Sequence, residues 1–303
     1  MRFSIFQDSA IGARSTNQDR MGYCFTRDAL FMVVADGMGG HLRGEVAAQI
    51  ALQSSAAVFQ SSARPSVPDT VAFLDHAMRH AHREILRYQH RHGLPEAPRT
   101  TIVACIVQGG RAWWAHAGDS RIYLMRDGVV LARTRDHSKV QTMVSMGLLQ
   151  PGEEETHPER NKVLNCLGSP FEPTIEISQP VGLQAGDRLL LCSDGLWSAW
   201  AEAELGRALC AAPIAQSVPE IVRRSVATLG RTADNCTGLA FAWEGESAAA
   251  SGGVSSTTLP EGAYTSTIMP HVPTGESARD LSEDEIERTI REIRSAIDKT
   301  QGK

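Results

Sequence analysis

The sequence predicts an α+β fold built on antiparallel sheets. Strand-like runs arrive in clusters, helical stretches come in pairs, and Gly-containing turns join neighbouring strands in the middle of the chain. A doubly wound fold would instead interleave strands and helices one for one.

FSIFQDSA at 3–10 alternates well enough for a first strand, and MGYCFT (21–26) and FMVVAD (31–36) give a second and third. GEVAAQIALQSSAAVF (44–59) is alanine-rich and helical in pattern. A second helix follows, capped by Asp69, with Leu74, Met78, Ala81, Ile85 and Tyr88 on one face; it ends near His92, before Gly93 and Pro95. Then come four strands, TTIVACIV, RAWWAHAG, SRIYLMR and GVVLAR, with hairpin turns at Gly109–Gly110 and Asp127–Gly128. Trp113 and Trp114 read as alternating strand residues. The stretch 137–170 is mixed, with a short helix through VQTMVSMG. TIEISQP and DRLLLCSD read as strands, 202–211 and 217–229 as helices, and TGLAFAWE as the last strand.

Residues 1–244 thus form one domain. Residues 245–279 read as a flexible Gly/Ser/Ala linker, and 280–299 as a C-terminal amphipathic helix. In that helix Ser282 and Glu285 make a capping box, and Ile286, Ile290, Ile293 and Ile297 form a narrow stripe. A helix this short is marginal alone in water, so it docks on its own domain, on a copy of itself or on a partner protein, or else frays.

Composition narrows the partners. Thirty Lys and Arg against 35 Asp and Glu give a formal charge of −5, with no basic run, which argues against nucleic acid or an anionic membrane. No apolar run reaches eighteen residues and the N-terminus lacks a signal-peptide pattern. The six cysteines include no CxxC pair, and buried free thiols in a reducing cytoplasm are the expectation. His76 and His80 lie one helical turn apart with His82 nearby and read as an exposed polar face, since no further ligand accompanies them.

Chemistry concentrates on four aspartates: Asp36 in VVADGMGG, Asp119 in AHAGDS, Asp194 in LLCSDGLW and Asp234 in TADN. Any one of them alone reads as a turn or cap residue. Together, three following apolar runs, they suggest strand ends converging on one pocket, and carboxylates are costly to bury unless a cation receives them. Oxygen donors select Mg²⁺ or Mn²⁺ over zinc or copper. Two such ions sharing a carboxylate suit hydrolysis of a phosphate ester, with no protein nucleophile. GxSxG does not occur, and the glycines of DGMGGHLRG match no nucleotide-binding pattern.

The segments RSTNQDR, VVADGMGG, WAHAGDSRIYL, LCSDGLW and TADN, in this order, resemble the protein phosphatase 2C family of metal-dependent Ser/Thr phosphatases in its bacterial form. The resemblance covers about residues 3–244 and implies a central antiparallel β-sandwich flanked by helix pairs, four layers αββα, with two metals at one end. It implies that Asp36 bridges both ions, that Gly37 offers its carbonyl to the second, and that Asp194 and Asp234 complete the first. Asp119 would help hold a weaker third ion. Arg14 would grip the substrate phosphate, and Asp19 would contact metal-bound water. The activity implied is hydrolysis of phosphoserine and phosphothreonine on proteins, opposing a bacterial Ser/Thr kinase. A catalytically idle phosphoprotein-binding relative is the alternative. Met38 stands where animal members carry a histidine, so the proton donor is metal-bound water or His41, and Gln18 replaces an animal-type glutamate. A mobile flap would correspond to 137–170 and would include RDHS.

Overall fold

The structure is a computed structural model that describes residues 1–38, 43–150, 152–153, 157–245, 254–256, 263 and 265–267. His41 and the helix expected at 280–299 lie outside the described residues, as does most of 245–279.

The strands are β1 (Arg2–Ala10), β2 (Asp19–Phe25), β3 (Ala29–Asp36), β4 (Ile102–Gln108), β5 (Arg111–Ala117), β6 (Arg121–Arg126), β7 (Val129–Arg133), β8 (Glu176–Ile177), β9 (Val181–Gly182), β10 (Arg188–Cys192), β11 (Cys236–Gly245), β12 (Val254–Ser255) and β13 (Thr265–Ser266). One sheet runs β12-β1-β11-β10-β6-β7. The other runs β13-β2-β3-β4-β5-β8, with β9 also on β5. All of these pairings are antiparallel. Helices α1 (Gly44–Ser62) and α2 (Thr70–Arg91) cover the second sheet, and α5 (Glu202–Cys210) and α6 (Ile214–Leu229) cover the first. The short helices α3 (Lys139–Ser145) and α4 (Asp194–Trp197) lie in connections.

Three apolar layers explain why the central strands lose their alternation. In β3, Leu30, Met32 and Val34 point between the sheets, while Phe31, Val33 and Ala35 pack under α1 and α2. Leu189 and Leu191 of β10 join the inter-sheet layer, and Leu190 and Cys192 face α5 and α6. A strand buried on both faces reads as a continuous apolar run, as FMVVA and LLLC do. Trp114 sits between the sheets and Trp113 packs toward the helices, as alternation requires.

Details differ from the sequence reading. TIEISQP divides into two two-residue strands, β8 and β9, both paired with β5. Helix α6 begins at Ile214, earlier than the polar stretch before Pro219 suggests. Two pieces of the span read as linker pair with the sheets, β12 with β1 and β13 with β2. His82 is buried and accepts a hydrogen bond from Gly168 N at 3.2 Å, so it does not share the outer face of His76 and His80. Five of the six cysteines are buried, and burial raises their thiols above the ordinary range. Among the described residues, no helix is long and apolar enough to cross a membrane.

Candidate active site

The predicted residues meet at one end of the sandwich because the strands carrying them end there. Asp19 opens β2 and Asp36 closes β3, and the two are paired directly in register. Asp194 follows β10 and Asp234 precedes β11, which are themselves antiparallel neighbours. Asp119 lies in the turn that carries the chain from β5 in one sheet to β6 in the other. Arg14 stands in the loop between β1 and β2.

Backbone geometry holds this end together. Asn235 accepts from Gln18 N at 2.8 Å and donates to the carbonyls of Ile11 and Thr16 at 2.9 and 3.1 Å, pinning the loop that carries Arg14. Gly12 sits at φ 64°, and a Cβ there would collide with the Asp234 carbonyl. Thr100 Oγ1 and Thr101 N donate to the Asp36 carbonyl at 2.8 and 2.9 Å. Gly37 N donates to Gln18 O at 3.2 Å, which closes the Asp19–Asp36 rung.

The electrostatics are those of crowded like charges. Burial, followed by Asp19, Asp194, Asp119 and Asp234, holds the Asp36 carboxyl well above the usual carboxylate range. Burial, then Asp194 and Asp136, does the same for Asp119. Asp194 is pushed up to about 7 by burial and by Asp234 and Asp19. Asp19 is raised mainly by burial, against the hydrogen bond of 2.7 Å that Ser193 Oγ donates to its Oδ2. Its Oδ1 is buried with no partner among the described residues. Arg14 Nη2 donates to Asp234 Oδ2 at 2.6 Å from an exposed position.

Divalent cations fit this donor set. Four of the five convergent carboxylates are driven toward their protonated form, and one of these has a buried oxygen without a partner among the described residues, so added positive charge would favour the ionised cluster. The donors are all oxygen, which suits Mn²⁺ or Mg²⁺.

Residues 6–229 match the family model for Protein phosphatase 2C. The chain belongs to that family. It is 34% identical over 238 residues to the serine/threonine protein phosphatase PstP of Mycobacterium tuberculosis, an alignment covering 78% of this chain and 44% of PstP. The chain therefore spans under half the length of that relative. The crystal structure of the M. tuberculosis phosphatase PstP/Ppp superposes with a TM-score of 0.71 at 33% identity, covering 81% of this chain and all of that one. A structure of the catalytic domain of PstP in complex with two manganese ions gives 0.66 at 31% identity, over 80% of this chain and 98% of that one. The four-layer fold expected of this family is the one observed.

Sequence reasoning missed the residues that hold the acidic ones. Ser193 lies inside a quoted motif, yet nothing in its spacing identifies Asp19, 174 positions away, as its partner. Asn235 had a signal: an Asn beside one of the singled-out aspartates is a residue type that ties backbone groups together. Asp136 and His137, placed at the border of an expected mobile flap, are tied to the Asp119 turn: Arg121 donates to both Asp136 oxygens at 2.8 and 2.7 Å.

Proposed function

We propose that this phosphatase-family chain hydrolyses phosphoserine and phosphothreonine esters on proteins, using two bound Mn²⁺ or Mg²⁺ ions. The observation that carries the reading is the Asp36 carboxyl, set opposite Asp19 and within the field of Asp194, Asp119 and Asp234, which together with burial hold it well above the usual carboxylate range. Asp36 would serve both ions, Gly37 would add its backbone carbonyl to the second, and Asp194 and Asp234 would complete the first. Asp119 would take a weaker third. When bound, the ions supply positive charge for the phosphoryl group and make a water acidic enough to attack it at neutral pH.

The chain's own groups do the rest. Arg14, exposed beside the cluster on a pinned loop, offers a planar guanidinium to the phosphate in place of Asp234. Ser193 fixes one oxygen of Asp19 and leaves the other available to accept a proton or a hydrogen bond from water. The overall reaction transfers the phosphoryl group from the seryl or threonyl oxygen to water, releasing the alcohol and inorganic phosphate. A Ser/Thr kinase as antagonist and a cytoplasmic setting belong to the same proposal.

The test is Mn²⁺-dependent phosphate release from p-nitrophenyl phosphate and from a phosphothreonine peptide. Release abolished by chelation supports the reading. Background rates in protein with manganese demonstrably bound would leave only a binding module.

A further inference from the structure

We propose that His137 is a positioning residue for Asp119, clamping the turn that presents this carboxylate to the weakest cation position. His137 grips one residue twice. Its backbone N donates to Gly118 O at 2.9 Å, and its ring Nδ1 accepts from Gly118 N at 3.3 Å. Gly118 itself has no freedom to rearrange by substitution, because its φ is 121° and a Cβ would run into Thr101. The preceding residue of the same segment, Asp136, holds Arg121 on the far side of the turn, and the Arg121 guanidinium lies 3.4 Å over the Trp197 ring. Trp197 Nε1 in turn donates to Asp119 O at 2.9 Å. The turn is therefore held from both sides, and His137 supplies one of them.

The imidazole is also the point where the far end of the 137–177 segment closes. Asn165 takes Thr174 N on its Oδ1 at 3.0 Å and gives Nδ2 to Thr174 O at 2.7 Å, which directs the same amide nitrogen at His137 Nδ1, 2.6 Å away. Glu176 Oε2 lies 3.4 Å from Nε2, and the buried His116 ring stacks at 4.4 Å. Donor atoms of His116, His137 and Glu176 fall within 4.8 Å of one another, a spacing a transition metal could bridge. The hydrogen bonds argue otherwise. Two N–H donors facing Nδ1 put the ring proton on Nε2, toward Glu176, and leave His137 no lone pair for a metal. His137 is a structural node.

The step from the clamp to a cation rests on the phosphatase reading, so the experiment separates the two. Full-length wild type, His137→Phe (which keeps a ring against His116 but loses the acceptor) and His137→Asn (which keeps an acceptor near Nδ1) are compared. Amide exchange at 118–120 is followed in metal-free protein, and bound manganese is counted by electron paramagnetic resonance. His137→Phe should speed exchange and weaken the weakest Mn²⁺ step by about tenfold, the lower end for a lost partner behind a ligand, while His137→Asn restores both. Wild-type exchange in His137→Phe overturns the clamp, and an unchanged or absent third Mn²⁺ step overturns its link to Asp119. Failure of the wild type to hydrolyse phosphate esters would sink the phosphatase reading alone, since the exchange comparison needs no turnover.

Discussion

Asp19 and Asp36 stand directly opposite one another on the pair of strands β2 and β3. Like charges in that position repel, and no sheet keeps them there for its own stability. Replacing Asp36 by Asn should therefore raise the stability of the metal-free protein by about 1 kcal/mol, the upper end for cross-strand pairs, while lowering turnover by more than ~100-fold. Thermal unfolding in chelator and initial rates in Mn²⁺ read the two effects. Near-normal turnover in Asp36→Asn would make the bridging assignment wrong.

The same crowding fixes a pH dependence. Asp194 titrates from about 3.8 in the unfolded chain to about 7 in the folded one, chiefly through burial, and Asp36 and Asp119 are shifted in the same direction. Between these values the folded state holds protons that the unfolded state has released, so stability of the metal-free protein falls as pH rises from 4 through 7. Saturating Mn²⁺ should remove or invert that slope. Denaturant midpoints at pH 5 and pH 8, with and without metal, check it.

On the proposed role of Arg14 as a phosphate grip, Arg14→Ala should chiefly raise KM, because such binding is present in both the ground and transition states. Its ion pair with Asp234 is exposed, with 56% of the Arg14 side chain accessible, so the stability change should stay below about 1 kcal/mol. A kcat that collapses at unchanged KM would assign Arg14 a different role.

On the proposed assignment of Asp119 to a weaker third ion, Asp119→Ala should depress activity more at low than at high Mn²⁺. Rates across a manganese titration test this, and a uniform loss at every concentration would contradict it.

Asn235 is buried and makes three hydrogen bonds to the loop carrying Arg14 and Gln18. Asn235→Ala should cost about 2–3 kcal/mol, the scale of a buried polar group removed from several partners, and should weaken manganese binding as well. Calorimetric unfolding and a metal titration measure the two losses.

The large features of the fold were legible because two buried faces write themselves as apolar runs. FMVVA, TTIVACIV and LLLC marked central strands, and the stripe from Leu74 to Tyr88 marked α2. The acidic cluster was legible from its settings, since each aspartate sits where an element begins or ends. What stayed hidden depends on tertiary register. That β5 and β6 belong to different sheets, so that the Asp119 turn spans the sandwich, follows from pairings with β4 and β10 and not from any local signal. The contacts of Ser193 with Asp19, and of His137 with Gly118, join residues whose spacing carries no period. The division of TIEISQP into β8 and β9 is set by the edge of β5.

An anomalous difference map from crystals grown in manganese tests the central claim most directly. The account predicts two strong peaks at the sandwich end, with the Asp36 carboxylate between them, Asp194 and Asp234 on one, and the Gly37 carbonyl facing the other. A map with no ion among these carboxylates, in crystals soaked to saturation, would contradict it.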